Sequence, residues 1–468
     1  MTCLTKKNKV ENKHSYKSEN IYFLGIGGIG MSALARYFKS NGAVVSGYDR
    51  TPSPLTAELQ SEGIEIHFED NPELIPENTM PVVYTPAVPK SLKEYKHIKS
   101  KGIPIIKRAE ILGEISKEYN TIAVAGTHGK TTVSTMIAWL LHNSKKHCTA
   151  ILGGISKNFD SNVLLPSTSE LLVTEADEYD RSFLYLKPEF AVITSVDADH
   201  LDVYSNKNNL IDSFSEFATK GKPGSTIMIK KGVELNIDFE NYKIFTYSLD
   251  SKADFYAANI RLSEGKYTFD LIIPKGKIRD LSPGIPGLIN LENSVAALAT
   301  AFLYGADEDD LRKALPEFKG IKRRFDYQIR SNKIIYVDDY AHHPVEIKAV
   351  LNSIKKLYQD KKILAIFQPH LFSRTRDFAE GFAASLDVAD EVILLPVYPA
   401  RELPIEGVSS ELILNKMKNS KKYIFSKTDL PDRIKEFNFD ILVTLGAGDI
   451  DRIVKPLKEY LTKIYLAK

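Results

Sequence analysis

A glycine-rich segment, GTHGKTT at residues 126–132, has the residue types of a phosphate-binding loop. Between a strand and a helix, such a turn lets backbone N–H groups converge on phosphate oxygens. Lys130 can reach the outer phosphates, and the Thr131 hydroxyl can hold Mg²⁺. The general motif GxxxxGK[ST] requires glycine at position 124, where this chain has Val124, so the segment is a variant. It predicts an ATP site made of Gly126, Thr127, His128, Gly129, Lys130, Thr131 and Thr132, in which His128 is either a phosphate contact or a solvent-facing residue.

Acidic residues follow two apolar segments that we predict to be strands beside this loop. Glu175 begins the run EADE, and His200 lies in the run DADHLD at 197–202. The carboxyl ends of parallel strands gather ligands at one edge of a sheet, and carboxylate and imidazole groups are metal ligands. We therefore predict Thr131 and Glu175 at one Mg²⁺ and His200 at a second metal ion. Each cluster alone is also compatible with a solvated loop or a helix cap.

A second glycine-rich segment, GIGGIG at 25–30, fits the pattern GxGxxG and lies between a predicted strand and a predicted helix. Asp49 ends the next predicted strand, where dinucleotide-binding folds place a carboxylate on a ribose hydroxyl. The N-terminus of a helix with closely approaching glycines also binds other diphosphates, including that of a nucleotide sugar. The residues alone leave NAD and another diphosphate nucleotide as open alternatives.

Composition is that of a soluble globular protein, with 43% hydrophobic and 26% charged residues. The formal net charge of +2 provides no overall field for nucleic acid or an anionic membrane, so we expect neither partner. Only Cys3 and Cys148 are present, which fits a reducing compartment. The first residues contain no apolar signal segment, and no apolar run reaches the roughly 18 residues of a membrane span. We expect a cytoplasmic protein, as a monomer or homodimer.

The alternation of short apolar strands with helical segments predicts an α/β protein of three domains. After a flexible tail at 1–19, we expect a Rossmann-like nucleotide-binding domain at 20–117 and a P-loop-type α/β domain at 118–322. A Rossmann-like α/β domain follows at 323–468. Alternating apolar and polar residues at 251–283 predict extra antiparallel strands in the central domain.

Several of these motifs, in this order, make the chain resemble the Mur ligases, the family that builds the peptide of bacterial cell-wall precursors. The motifs span nearly the full length: GIGGIGMS at 25–32, GTHGKTT at 126–132, EADEYDRSFL at 175–184, DHLDVY at 199–204, Asn290 and Asn293, RRF at 323–325, DDYAHHP at 338–344 and FQPH at 367–370. Within the family they are similar to the member that joins L-alanine to UDP-N-acetylmuramate with ATP. The expected function is this ligation, in the synthesis of peptidoglycan precursors.

The resemblance implies a ligand for each predicted domain. The UDP part of the nucleotide sugar, rather than NAD, is implied to bind Gly25, Gly27, Gly28, Gly30, Asp49 and His67. ATP is implied to bind Lys130 and the rest of the 126–132 loop, with Asn293 near the adenine and Arg324, Asp338 and Asp339 near the phosphates. Two Mg²⁺ ions are implied, one at Thr131 and Glu175, the other at Glu175 and His200.

The amino acid is implied to bind residues of the third domain: Tyr340, His342, His343 and Arg374. The planar guanidinium of Arg374 suits a carboxylate, although a surface ion pair is the alternative reading of this residue. The residues expected to act in catalysis are Lys130, Glu175, His200, His342 and Arg374. Two positions depart from the family pattern: Leu371 stands where members often carry Arg, and Arg401 where Gly is common. Leu371 leaves the amino-acid pocket one cation short.

The implied reaction begins when the lactyl carboxylate attacks the γ-phosphate of ATP to form an acyl phosphate. The amine of L-alanine then displaces phosphate. Because each domain is expected to bring one ligand, we expect an open and a closed arrangement. Three alternatives remain: a recycling ligase that attaches a preformed tripeptide to the same sugar nucleotide, an NAD-dependent dehydrogenase, and a nucleotide-sensing module without turnover.

Overall fold

The computed structural model describes residues 18–197, 204, 206–263, 265–400 and 402–466. These residues form three sheets of five, ten and six strands with helices between the strands, which confirms the predicted three-domain α/β class. Two compact units are distinguished by their internal contacts. The first contains the described residues up to Ile260 together with Thr268–Ser282 and Glu292–Lys319; the second contains Arg261–Tyr267, Pro283–Leu291 and the chain from Gly320 onward.

The first sheet is entirely parallel, with the order β3-β2-β1-β4-β5. Its strands are β1 (Asn20–Leu24), β2 (Val44–Tyr48), β3 (Glu65–His67), β4 (Thr79–Tyr84) and β5 (Ile105–Lys107). Its helices are α1 (Ile29–Ser40), α2 (Pro54–Ser61), α3 (Lys93–Ser100) and α4 (Arg108–Lys117). The chain moves outward from β1 in one direction to β2 and in the other to β4, so the loop after β1 lies at a topological switch point, where open α/β sheets bind ligands.

The second sheet has the order β15-β14-β13-β12-β11-β10-β6-β9-β7-β8. Its strands are β6 (Asn120–Ala125), β7 (Cys148–Ser156), β8 (Ser161–Leu164), β9 (Leu171–Glu175), β10 (Phe190–Ile193), β11 (Thr226–Lys230), β12 (Lys243–Ser248), β13 (Phe255–Ser263), β14 (Lys266–Ile273) and β15 (Gly276–Leu281). Its helices are α5 (Lys130–Asn143), α6 (Lys207–Ala218), α7 (Leu288–Leu303) and α8 (Glu308–Ala314). The central strands are parallel, whereas β14–β15 and β7–β8 are antiparallel pairs.

The third sheet has the order β16-β17-β21-β18-β19-β20 and is parallel except for the edge strand β16. Its strands are β16 (Asp326–Arg330), β17 (Ile335–Asp339), β18 (Ile363–Phe367), β19 (Glu391–Leu394), β20 (Lys422–Ile424) and β21 (Ile441–Leu445). Its helices are α9 (Pro344–Leu357), α10 (Phe372–Asp377), α11 (Ala379–Leu386), α12 (Ser410–Leu414), α13 (Leu430–Arg433) and α14 (Asp451–Leu461).

Burial explains why these segments are strands. The strands β6, β18 and β21 are short continuous apolar runs whose side chains are almost all buried, as expected for parallel strands covered by helices on both faces. Within the described residues, no helix is long and apolar enough to cross a membrane.

The first two sheets belong to one compact unit, and a polar contact joins them. The guanidinium of Arg36 in α1 donates to Asn162 in β8 at 2.6 Å, and Asn162 donates to the carbonyl of Ile29 at 2.7 Å. Arg36, itself buried, also pairs with the exposed carboxylate of Glu62 at 2.6 Å. The bonds of Asn162 hold the helix that follows the first glycine-rich loop against the edge of the second sheet.

Candidate active site

The phosphate-binding loop connects β6 to α5 and depends on two glycines. Gly126 has φ 143° and Gly129 has φ 83°, backbone conformations that disfavour other residues. A Cβ atom on Gly126 would lie 2.0 Å from Oγ1 of Thr194. Val124 is fully buried within β6, where it pairs with neighbouring strands on both sides. The strand therefore runs one residue beyond the position of the first glycine in the general motif, to Ala125, and the first glycine of the loop is Gly126.

Lys130 is the first residue of α5, and its ammonium group is held over the loop. Nζ donates to the carbonyl of Gly126 at 2.8 Å and lies 2.9 and 2.8 Å from the two carboxylate oxygens of Glu178. Burial alone disfavours the charge, but the carboxylates of Glu178, Glu175 and Asp177 outweigh it and raise the pKa of Lys130. Glu178 is only 1% exposed, and burial raises its pKa against the attraction of Lys130. The site thus keeps a charged lysine beside the phosphate loop.

The two predicted oxygen ligands of the first Mg²⁺ are adjacent. The hydroxyl of Thr131 donates to Oε2 of Glu175 at 2.8 Å, and Glu175 is the last residue of β9. A Cβ atom on Gly153 of β7 would lie 1.9 Å from the same carboxylate oxygen, so the carboxylate fills the space that this glycine leaves. A hydroxyl and a carboxylate are the hard oxygen donors that Mg²⁺ prefers.

His200, the predicted ligand of the second metal ion, lies outside the described residues. Among the residues that the structure describes, no group of three or more His, Cys, Asp or Glu side chains is arranged to hold a metal ion. The structure therefore brings together Thr131 and Glu175, and the second ion stays a prediction.

The segment after β10 supports the phosphate loop through side chains that the sequence analysis did not assign. Ser195 accepts the backbone N–H of His128 at 2.9 Å, and its hydroxyl lies 2.9 Å from that of Thr127. The Thr194 hydroxyl donates to the carbonyl of Ala125 at 3.2 Å. Pairing of β10 with β6 places these polar residues beside the loop. The sequence signal for this supporting role is a pair of hydroxyl residues directly after a strand that neighbours the phosphate loop.

Two further residues of the predicted ATP site lie against the loop. Oδ1 of Asn293, in α7, would be 2.9 Å from a Cβ atom on Gly129, so Asn293 packs on the last turn before α5. The ring of His128 is 21% exposed, and its Nε2 lies 3.7 Å from the carboxylate of Asp197. The imidazole is thus a half-buried part of the loop, not a solvent-facing residue.

The first glycine-rich loop lies between β1 and α1 and is closed by hydrogen bonds to the end of β2. The N–H groups of Gly25 and Ile26 donate to the carbonyl of Tyr48 at 2.8 and 3.0 Å. The carboxylate of Asp49 accepts the N–H of Gly27 at 2.8 Å. Gly25 has φ 87°, and a Cβ atom on Gly27 would lie 2.8 Å from that carboxylate. Asp49 thus holds the loop itself.

The other predicted residues of this nucleotide site are located at the same carboxyl edge. A Cβ atom on Gly30 would lie 2.9 Å from the guanidinium of Arg108, whereas Gly28 is exposed. His67 ends β3, and its backbone carbonyl accepts the N–H of Asp49 at 3.1 Å. The structure therefore brings His67, Asp49 and the glycine loop together at one edge of the first sheet.

In the second compact unit, aromatic and basic side chains predicted to bind the amino acid form a cluster. The ring of His342 lies 5.3 Å from that of Tyr340 and 6.2 Å from that of His370, which stacks on Tyr398 at 5.8 Å. Arg324 lies over the Tyr340 ring at 5.1 Å. His370 and Tyr398 were not assigned, although His370 belongs to the quoted FQPH segment.

Electrostatics keep His342 neutral near pH 7. Burial lowers its pKa, the carboxylate of Glu346 opposes that effect, and the positive charges of Arg374 and Arg324 lower the pKa further. His343, in contrast to His342, is the N-cap of α9. It accepts the N–H of Val345 at 3.4 Å, and its ring packs on that of Phe378 at 4.9 Å. His343 is therefore held by the start of the helix.

The carboxylates of Asp338 and Asp339 are buried in this unit. Asp339 accepts the N–H groups of Phe325 and Ala341 at 2.6 and 2.7 Å, and burial raises its pKa to about 6. Asp338 accepts the hydroxyl of Thr444 at 2.7 Å. Both aspartates thus organise the end of β17, and their part in ATP binding stays a prediction.

Leu371 lies directly before α10, which carries Arg374. It has φ 69°, an unusual backbone conformation for a residue with a bulky side chain. Its N–H donates to the carbonyl of Tyr398 at 2.9 Å, and its carbonyl accepts the N–H and the hydroxyl of Thr375 at 3.1 and 2.7 Å. The strained turn fixes the start of the helix that presents Arg374. Arg401, the other departure from the family pattern, lies outside the described residues.

Comparison with known proteins identifies the family. Family models match three consecutive segments of the chain: the Mur ligase family catalytic domain at 20–120, the Mur ligase middle domain at 124–301 and the Mur ligase glutamate ligase domain at 323–448. The chain belongs to the Mur ligase family.

Curated relatives share about half of their residues with this chain. The UDP-N-acetylmuramate--L-alanine ligase of Parabacteroides distasonis is 49% identical over 95% of this chain and 97% of its own length. The enzyme of the same name from Flavobacterium johnsoniae is 50% identical over 95% of this chain and 98% of its own.

Among solved structures, the UDP-N-acetylmuramate-alanine ligase of Thermotoga maritima matches with a TM-score of 0.81 and 28% identity, covering 95% of this chain and 99% of that one. A murein peptide ligase from Psychrobacter arcticus matches with a TM-score of 0.71 and 23% identity, covering 96% and 100%. The similarity to the murein peptide ligase shows a shared fold only.

Proposed function

We propose that this protein is an ATP-dependent ligase that joins L-alanine to the lactyl carboxylate of UDP-N-acetylmuramate. The observation that carries the proposal is the arrangement of Lys130, Thr131 and Glu175 at a phosphate loop, in a chain whose curated relatives of about 50% identity bear that name. A phosphate loop alone binds nucleotide. In a Mur ligase, the same loop serves the activation of a carboxylate.

The reaction consumes one ATP for each amide bond. A carboxylate oxygen of the nucleotide sugar attacks the γ-phosphorus, and the bond from that phosphorus to the β-phosphate oxygen breaks, giving an acyl phosphate and ADP. The amine of L-alanine attacks the acyl carbon and loses a proton, and phosphate leaves. Most of the protein's contribution is to position the reactants and to stabilise the negative charge that develops.

At the ATP site, the backbone N–H groups at the start of α5 and the Lys130 ammonium bind the phosphates. Glu178 keeps that ammonium charged and close to the loop. Thr131 and Glu175 are the residues that would hold Mg²⁺, which when bound neutralises phosphate charge. The Asn293 side chain contacts the nucleotide beyond the phosphates, and its packing against Gly129 supports this role.

The nucleotide sugar occupies the carboxyl edge of the first sheet. The glycine loop after β1 approaches its diphosphate closely at the N-terminus of α1, where the helix dipole favours an anion. His67 lies beside this loop through its backbone bond to Asp49 and contributes to the uridine end. Asp49 acts by shaping the loop.

L-Alanine binds the cluster of the second unit, where Arg374 receives its carboxylate. His342 is half-buried and its pKa is lowered, so its imidazole is neutral near pH 7. It is able to accept the proton that the alanine nitrogen loses as the amine attacks the acyl carbon. Tyr340 and the His343 turn hold the imidazole in place.

Measurement of ADP formation tests the proposal. The protein is incubated with ATP and Mg²⁺, with UDP-N-acetylmuramate and L-alanine added singly and together. Full turnover is expected only with both. A tripeptide that replaces L-alanine with equal kcat/KM would favour the recycling ligase instead, and absence of ADP with either amine donor would contradict both ligase functions.

A further inference from the structure

Three linked polar side chains lie beside the glycine loop of the first sheet. The hydroxyl of Tyr22, in β1, lies 2.7 Å from Nε2 of His67 and 2.6 Å from Oε2 of Glu94, in α3. Tyr22 and Glu94 are fully buried, whereas the His67 side chain keeps 19% of its surface exposed. Only the histidine of the three has a proposed ligand. The other two side chains connect it to the interior of the sheet.

The hydrogen-bond chemistry of this group fixes the number of its protons. Nδ1 of His67 lies 2.9 Å from the backbone carbonyl of Glu69, which only accepts, so Nδ1 carries a proton. The two short contacts of the Tyr22 hydroxyl each need a proton, and the hydroxyl supplies one. The second is carried either by Glu94 as a neutral acid or by His67 as an imidazolium. These two forms differ only in where the protons lie.

Burial selects between the two forms. It raises the pKa of Glu94 to about 7 and lowers the pKa of His67, so both shifts favour a neutral acid and a neutral imidazole. In that form Glu94 donates to Tyr22, and Tyr22 donates to Nε2 of His67. The other Glu94 oxygen accepts the N–H of Asn71 at 3.1 Å.

The charged and titratable groups around these three side chains come from the neighbouring strands and loops. They are Tyr48 at the end of β2, Asp49 and Arg50 after it, and Glu69 and Asp70 after β3. Asp70 accepts the first N–H groups of α3 and adds to the rise in the pKa of Glu94. Among the contacts described for Tyr22, His67 and Glu94, none of these surrounding side chains makes a hydrogen bond that could replace the one made by the shared proton.

We infer that Glu94 and Tyr22 are positioning residues for His67: one proton shared along the three side chains fixes the imidazole, and its loss weakens binding of the uridine nucleotide. The inference rests on the proposed function. When the proton leaves, the Tyr22 hydroxyl donates to only one neighbour, and the other short contact brings two lone pairs together. Loss of the proton also leaves Glu94 as a buried negative charge in the domain that is proposed to bind the negatively charged diphosphate.

Calorimetric titration with UDP-N-acetylmuramate between about pH 6 and pH 8.5 tests this inference, since the diphosphate diester of that ligand does not titrate there. For the unmodified protein, we expect the Kd to rise roughly fivefold from the lower to the higher pH. In Glu94→Gln, the amide donates permanently to Tyr22 and imitates the neutral acid. Its Kd is expected to match the low-pH value of the unmodified protein and to change by less than about twofold across the range.

Tyr22→Phe removes the link between Glu94 and His67, and Tyr84→Phe is its matched control. Tyr84 is a buried tyrosine of the same sheet, and its hydroxyl donates to the carbonyl of Val88 at 3.0 Å. Binding is expected to weaken severalfold in Tyr22→Phe and to be unchanged in Tyr84→Phe.

Equal pH profiles of Glu94→Gln and the unmodified protein, or equal affinities of the two phenylalanine variants, would overturn the inference and leave the proposed ligase intact. Failure of the unmodified protein to bind UDP-N-acetylmuramate at any pH would instead contradict the proposed function, and the inference with it.

Discussion

At the scale of single residues, the decisive pair is Lys130 and Glu178. The ammonium lies within 2.9 Å of both carboxylate oxygens, and neither side chain is more than 14% exposed. A buried ion pair is costly to break because the remaining charge has lost its partner. Glu178 thereby favours the charged form of Lys130, the residue proposed to bind the phosphates.

Glu178→Gln keeps the shape of the side chain and removes its charge. Because Glu178 is the strongest charged contributor that raises the pKa of Lys130, the basic limb of the pH–rate profile for ADP formation should move to lower pH. We expect kcat/KM to fall by about tenfold or more and the free energy of unfolding by roughly 3 kcal/mol. Glu216→Gln is the control, because its exposed carboxylate pairs with Lys220 at 2.9 Å on the surface. Equal profiles for the two variants would contradict the role of Glu178.

Gly126→Ala tests the geometry of the phosphate loop. The new Cβ would lie 2.0 Å from Oγ1 of Thr194, on a backbone with φ 143°, so the loop must shift. We expect loss of ATP binding, measured by calorimetry. Gly224→Ala is the control for backbone strain without a steric clash, since Gly224 has φ 88° and no atom lies within 4 Å of its Cβ position. That control should cost about 1 kcal/mol of stability and bind ATP normally. ATP binding by Gly126→Ala at the unmodified affinity would contradict the geometry.

The sequence predicted part of this residue-scale picture. Lys130, Thr131 and Glu175 were assigned from their types and from the strand ends they follow, and the structure brings them together. Glu178 was not separated from its neighbours, because a run of acidic residues does not reveal which carboxylate is buried. That information comes from packing around β9 and is absent from local sequence.

At the scale of elements, the start of α9 carries the predicted amino-acid contacts. Oε2 of Glu346 accepts the N–H groups of His342 and His343 at 3.0 and 3.3 Å, which closes the first turn as a capping box. The turn fixes the direction of the His342 ring. The capping interaction that starts α9 thus also orients His342, which is proposed to act on L-alanine.

Glu346→Ala should loosen this turn. We expect about 1 kcal/mol of lost stability and a rise in KM for L-alanine of roughly fivefold, with KM for ATP unchanged. Glu380→Ala is the control, because its exposed carboxylate in α11 makes only a surface pair with Lys416 at 3.0 Å among its described ion pairs. Steady-state kinetics with each substrate varied separately provide the measurement. A matching rise in KM for L-alanine in Glu380→Ala, or none in Glu346→Ala, would show that the capping box does not hold the pocket.

Element positions followed well from the sequence where strands are fully buried. β21 is a fully buried apolar run of the kind predicted for the third domain from the alternation of short apolar strands with helical segments, and the antiparallel strands expected at 251–283 include the pair β14–β15. Pairing partners were harder to predict. β13 joins β12 in parallel, and β7 pairs with β8 at the opposite edge, because register depends on contacts between distant segments. Val124 likewise belongs to a strand that is longer than the motif suggests.

At the scale of the whole molecule, the matched family segments follow the order of the three sheets along the chain. The glycine loop of the first sheet was ambiguous from its own residues, since a dinucleotide and a nucleotide sugar present the same diphosphate. Only the rest of the chain decides between them. Net charge carried no information on the ligands, because the charges that matter are local.

The central claim is that ATP cleavage is coupled to formation of one amide bond. The most direct measurement is ADP release with UDP-N-acetylmuramate and L-alanine, together with mass spectrometry of the product. We expect one ADP for each UDP-N-acetylmuramoyl-alanine formed and negligible ADP when either substrate is omitted. ADP release that is independent of both substrates, or no release when both are present, would contradict it.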